Sequence, residues 1–289
     1  MKQFKVLSLI VLAGFFCCPA DADARVGWFE PYPQCAAPGA LSLKPATGAP
    51  LIVMLGELHG SREAPAFVGS LACTYARAGL RTAVLLEIPA DVNADLRGLS
   101  GDRALDRQRL CRGRIGHFWS WTRDGRGTTA TAELMLDVAA MRAADAPLTV
   151  AGFDASDIPV GLDGEEIREV RYGVTLDIVR QAAQTHDVTL MLIGNLHPPG
   201  LARRIADIPE LKAARIVRLR QRYEAGEAWN CAPSCGVNVF DGHGRDPGEP
   251  IFSIELNARY ERFDGTVHTG PITPAYPVRD SSFCAAEQP

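Results

Sequence analysis

Four short apolar runs set the strongest limit on how this chain folds: Leu51–Leu55, Thr82–Leu86, Leu148–Phe153 and Val188–Ile193. Each is only five or six residues long and apolar at neighbouring positions alike. That is the pattern of a strand covered on both faces rather than of a half-exposed one. Helical segments separate them. From Glu63 to Ala78, Phe67, Leu71, Cys73, Tyr75 and Ala78 fill one apolar side, and Gly79 stops the helix. Residues 90–127 are polar, Arg-rich and then aromatic, which suits short helices and loops. Thr128 or Thr129 caps a helix running to about Ala144. Glu165 to about Thr185 is another helix, and Pro198-Pro199 turn into one near Leu201–Ala206. Strands alternating with helices imply right-handed crossovers and a mainly parallel sheet with helices on both faces. After Ala214 the pattern changes, with strands expected at Arg215–Arg222, Ile251–Asn257 and Tyr260–Val267 and turns at Asp241-Gly242 and Asp264-Gly265. The expected fold class is α/β: a parallel core over about 50–206 and a β-rich, partly antiparallel extension over about 214–289. Residues 25–289 are expected to form a single domain.

Each run ends in ionisable groups: Glu57 and His59 after the first, Glu87 after the second, Asp154 after the third, His197 after the fourth. Open parallel sheets bind ligands at the carboxyl ends of their strands. If the four strands are neighbours, these side chains meet in one pocket. Two imidazoles and three carboxylates there suit a divalent cation, with His59, Glu87 and His197 as ligands. They equally suit a general base with an orienting partner, because crowded like charges drive pKa values apart. One carboxylate at a strand end is more often a helix cap, and one histidine is more often structural. Recurrence after four separate runs, with histidine in two Gly-x-x-His steps, points to a shared site. His186, His243 and His268 lie in loop or turn contexts and receive no role. The stretch Trp119 to Arg126 offers a second set, in which Trp121 and Arg126 line a substrate and Arg126 meets an anionic group. The alternative there is an aromatic cluster packing an insertion, with Asp124 and Arg126 paired locally.

Apolar residues at 47% and charged residues at 22% exclude a disordered chain. A net charge of −4 gives no electrostatic basis for a nucleic-acid partner, leaving a small molecule or peptide as the expected substrate. Residues 1–24 read as a signal peptide: Lys2 and Lys5, the apolar Val6 to Phe16, then Ala20-Asp21-Ala22 or Ala22-Asp23-Ala24 for cleavage. The run is too short for a transmembrane span, so the expected location is periplasmic or secreted. A lipoprotein carrying lipid on Cys17 or Cys18 is the rival, and the bulky Phe15-Phe16 opposes it. Export leaves Cys35, Cys73, Cys111, Cys231, Cys235 and Cys284, an even set that implies three disulfides. The expected pairs are Cys231–Cys235, Cys73–Cys111 and Cys35–Cys284. A metal site on Cys231 and Cys235 is the alternative.

Gly56-Glu57-Leu58-His59, Glu87 and Gly194-Asn195-Leu196-His197, each following a strand, resemble the erythromycin esterase/ChaN-like superfamily over about residues 50–200. The TraB/TIKI proteins look like distant relatives. The resemblance implies several activities: lactone hydrolysis with a histidine that activates water, metal-dependent proteolysis in TIKI-like members, or haem binding linked to iron uptake in ChaN-like members. By motif, His59 resembles the general base or a metal ligand, Glu57 its orienting partner, and Glu87 and His197 the rest of the site. Arg62 resembles an arginine that holds an anionic or carbonyl oxygen. Only Leu58 separates Glu57 from His59, where the esterases usually have two residues, and this spacing is closer to the ChaN-like branch. That branch binds haem through a tyrosine, and Tyr75, Tyr172, Tyr223 and Tyr260 stand in no matching motif. The resemblance therefore implies a hydrolase of an ester, lactone or amide, or an envelope haem- or iron-binding protein without turnover.

Overall fold

All four apolar runs form strands in the computed structural model, which describes residue 35 and residues 43–231, 234–243, 251–256 and 262–285. The expected signal peptide, Tyr260 and Asn257 lie outside the described residues. The strands are β1 (Leu51–Glu57), β2 (Thr82–Pro89), β3 (Leu148–Asp154) and β4 (Val188–Gly194). The helices between and after them are α1 (Glu63–Arg77), α2 (Asn93–Arg97), α3 (Arg103–Leu110), α4 (Gly113–Trp121), α5 (Thr129–Ala143), α6 (Gly164–Thr185) and α7 (Pro198–Ala206). Their starts follow local chemistry. The Thr128 hydroxyl accepts from Thr131 N–H at the head of α5. Asp163 and Glu166 form a reciprocal capping box on α6. Proline opens α7, where its missing N–H costs nothing.

β5 (Arg215–Glu224) and β9 (Gly265–Pro271) extend the sheet in parallel, and β8 (Ser253–Leu256) closes the edge antiparallel to β9. The strand order is β3-β2-β4-β1-β5-β9-β8. The four strands with ionisable ends are thus consecutive neighbours, in the order β3, β2, β4, β1. Leu51, Val53 and Leu55 join the core on the α1 and α5 side, while Ile52 and Met54 join the core on the α6 and α7 side. Burial on both faces explains why these strands read as unbroken apolar runs.

The structure departs from the sequence expectations in three places. β9 begins later than the expected strand at 260–267, where the Asp264 carboxylate binds both the backbone N–H and the guanidinium of Arg218 on β5. A hairpin of β6 (Gly226–Cys231) and β7 (Cys235–Phe240) was not anticipated. Its Gly-, Pro- and Asn-containing sequence carries little strand propensity, and contacts to the rest of the fold hold it. Of the disulfides, Cys231–Cys235 forms as expected, but the other four cysteines pair as Cys35–Cys73 and Cys111–Cys284. Leu43 lies against α1, where the Tyr75 hydroxyl donates to its carbonyl at 2.7 Å, and Cys35 reaches Cys73 on the same helix. The last described segment lies on α3, with Arg107 over the Phe283 ring at 4.8 Å, and this brings Cys284 to Cys111. No described helix is long and apolar enough to cross a membrane.

Candidate functional site

At the carboxyl end of β1 the Glu57 carboxylate lies 2.9 Å from Nδ1 of His59, two residues on. The segment joining them is tightly held. Leu58 N–H donates to Oε1 of the buried Gln221 on β5 (2.8 Å), and Gln221 also donates to Ser61 and Thr269. Gly60 has φ +81°, and its carbonyl accepts from Trp229 and Ala275. A Cβ at Gly60 would meet Trp229 O at 1.7 Å, and one at Gly125 would meet the same oxygen at 2.6 Å and His59 Cβ at 2.9 Å. Three backbone segments therefore cross at the root of the His59 side chain, and only glycine fits at two of them.

The other face of the imidazole looks at Glu87. Its Nε2 lies 3.6 Å from Glu87 Oε2, an oxygen that also accepts from Gly194 N–H (2.8 Å) at the end of β4. His197 Nε2 is 3.9 Å from the other oxygen, Oε1. Around this carboxylate stand two guanidinium groups. Arg171 on α6 donates to Glu87 Oε1 (2.9 Å) and reaches both oxygens of Asp154 (2.7 and 2.8 Å). Arg126 bonds Asp154 (2.6 Å) and Asp124 (2.8 Å), and lies 3.9 Å from Glu87.

These contacts set the charges. Burial raises the Glu57 carboxyl above the usual range, and the bond to His59 offsets only part of that. Burial alone would lower the pKa of His59. The hydrogen bond with Glu57 and the charges of Glu57 and Glu87 outweigh it and hold the ring above the ordinary histidine value. Burial would also raise Glu87, but His59, Arg126 and the Gly194 N–H reverse it, so this carboxylate stays ionised. His197 is pushed down, by burial first and then by the cations of Arg171 and His59, so it is neutral near pH 7.

Glu57, His59, Glu87, Asp154, His197 and Arg126 thus come together. Two expected residues do not join them. Arg62 is exposed, and its Nε donates to Pro274 O at 3.1 Å, with no contact to the cluster among the described residues. Trp121 is 52% exposed and packs edge-on against Phe118. Its neighbour Trp119 is buried and donates to Leu110 O, so the aromatic pair serves packing while Arg126 serves the site. Arg171 went unnoticed in the sequence. The available signal was the stripe Gly164, Ile167, Arg168, Arg171, Tyr172 and Thr175, one face of α6 at helical spacing.

The donor set does not fit a metal. Among the described residues no group of three or more His, Cys, Asp or Glu side chains is arranged to hold a metal ion. In the expected trio of His59, Glu87 and His197, both Glu87 oxygens already accept hydrogen bonds, and two arginines supply the positive charge a cation would bring. Nor does this site enclose a macrocycle. The cavity beside Glu87 and His197 has a volume of about 140 Å³, the scale of a benzene-sized group rather than of a macrocycle.

Fold and site together define an α/β protein with a histidine–carboxylate cluster at the carboxyl edge of a mainly parallel sheet. No protein-family model and no curated protein matches the chain. Among solved structures, a succinoglycan biosynthesis protein aligns at 11% identity over 79% of this chain and 90% of its own, with a TM-score of 0.53. A Bacillus cereus protein aligns at 13% identity over 90% and 100% of the two chains, with a TM-score of 0.41. ChaN of Campylobacter jejuni, described with cofacial haem, aligns at 11% over 81% and 90%, also with a TM-score of 0.41. What the succinoglycan biosynthesis protein shares with this chain is the fold.

Proposed function

We propose that the chain is a hydrolase of an ester, lactone or amide that uses His59 as general base without a metal. The observation that carries this reading is the 2.9 Å Glu57–His59 contact, which orients the imidazole and leaves Nε2 toward the space it shares with Glu87. In the proposed reaction His59 Nε2 takes a proton from water as the water oxygen attacks the carbonyl carbon. Glu57 and the ionised Glu87 stabilise the resulting imidazolium. The neutral His197 donates a hydrogen bond toward the carbonyl oxygen, which gains negative charge, as a lowered imidazole pKa allows. Collapse breaks the acyl bond, and the proton held by His59 passes to the leaving alcohol or amine. Arg126 helps keep Glu87 ionised, and Arg126 and Arg171 hold Glu87 and Asp154 in place. A positioned base of this kind contributes about 10²–10⁴ in rate.

The test is hydrolysis of a panel of esters, lactones and peptides by the wild type, His59→Ala and His197→Ala. Turnover that falls at least about 10²-fold in His59→Ala supports the assignment. Equal background from all three proteins on every substrate removes it.

A further inference from the structure

Beside the cluster, a cavity of about 140 Å³ opens between α6, α7 and the ends of β2, β3 and β4. Its floor is apolar and buried: Phe153, Ile193 and Leu201 belong to the core on that side of the sheet. Ile167 and Tyr172 wall it from α6, and the Tyr172 ring is held by Arg204 at 4.7 Å. Glu87, His197 and Arg171 stand at its polar side. Arg171 is shared between Glu87 and Asp154, and the exposed Arg168 lines the cavity from the same helix. Glu87 joins the two halves of the site, with Oε1 toward Arg171 and His197 and Oε2 toward His59. A group filling the cavity therefore ends, at its polar side, one carboxylate away from His59 Nε2.

We infer that this cavity is the acyl pocket, and that the substrate carries a compact group of benzene size, aromatic or alicyclic, directly on the reacting carbonyl. The inference rests on the hydrolase reading for its chemistry but on the cavity for its specificity. A hollow of this volume lined by apolar side chains accepts a ring of about six carbons, and a polar rim around an apolar floor is the ordinary build of a small-molecule site. An acetyl group leaves it mostly unfilled, and a long flexible chain overruns it.

The experiment compares kcat/KM for the 4-nitrophenyl esters of acetate, butyrate, benzoate and decanoate. Benzoate is expected to exceed acetate by about tenfold or more, the discrimination a few added carbons give in an apolar pocket, with decanoate below benzoate. Ile167→Trp, at a partly exposed position, narrows the cavity and lowers the benzoate-to-acetate ratio about tenfold. Ile167→Ala widens it and moves the optimum to larger acyl groups. Benzamide binding to His59→Ala, followed by NMR line broadening, reads the pocket without turnover, and Ile167→Trp removes it. Esters hydrolysed with no dependence on acyl size, or a ratio unmoved by both Ile167 variants, overturn the pocket while leaving the hydrolase. No ester hydrolysis, with benzamide still bound and lost in Ile167→Trp, upholds the pocket and overturns the hydrolase.

Discussion

Arg171 Nη2 donates to Glu87 Oε1 at 2.9 Å across 84 residues of sequence, while Arg171 Nε holds Asp154 at 2.7 Å. One guanidinium thus ties the ends of β2 and β3 to α6. Arg171→Met is expected to leave Glu87 short of a partner, raise its pKa and let His197 and His59 drift. Stability falls by about 1.5–3 kcal/mol, the range for a hydrogen bond to a charged group, and turnover falls with it. Arg171→Lys keeps the charge but loses the fork that spans two carboxylates, so it is expected to recover stability more than activity. Denaturant melts and kcat of both variants check this.

The pH profile follows from His59. Its base form is neutral, so activity is lost as pH falls through the His59 pKa. Because that value is raised, the acid limb of kcat/KM is expected above the ordinary histidine value of about 6.5. Glu57→Gln removes the carboxylate charge that raises it and leaves burial, which lowers it, opposed mainly by the Glu87 charge. The limb then moves to lower pH, with a fall in the plateau of about 10²-fold. A limb that stays in place in Glu57→Gln contradicts the base assignment.

Two glycines separate function from stability. A Cβ on Gly194 would lie 2.8 Å from His59 Nε2, the free end of a side chain. Gly194→Ala is expected to displace the imidazole and cost about 10² in rate, as an ångström-scale misplacement does, at less than about 1.5 kcal/mol of stability. A Cβ on Gly60 would meet backbone at 1.7 Å where φ is +81°. Gly60→Ala is expected to destabilise the fold by about 2–5 kcal/mol through strain and overpacking together. Thermal melts beside kcat distinguish the two.

The disulfides differ in reach. Cys111–Cys284 closes 173 residues and Cys231–Cys235 only 4. On the chain-entropy account these are worth about 5 and about 2 kcal/mol at 25 °C. Replacing the first pair by serine is expected to lower the melting midpoint clearly more than replacing the second. Non-reducing peptide mapping checks the pairing itself, and a Cys73–Cys111 peptide would contradict it.

Much of the candidate site was legible because its residues follow strands that the sequence marks plainly. Glu57, His59, Glu87, Asp154 and His197 each come directly after a buried run, where the chain must leave the sheet at the edge that binds ligands. Arg126 was visible as a donor in a turn-rich loop. Arg171 was harder to see because it sits mid-helix, where an arginine ordinarily points to solvent. Arg62 and Trp121 misled for the opposite reason: residue type suited a ligand, but Pro274 and Phe118 took them.

The sequence by itself determined the alternation of strand and helix, the two-sided burial of β1 to β4 and the polar caps at their ends. Those are set by side-chain pattern within a few residues. Tertiary structure alone decided the order β3-β2-β4-β1, which makes the four polar ends neighbours. It also decided the exchange of cysteine partners, the β6–β7 hairpin whose Trp229 backbone braces Gly60, and the closure of Arg171 over two carboxylates. Each of these depends on which distant segments pack together, and that is a property of the whole buried surface rather than of any local run.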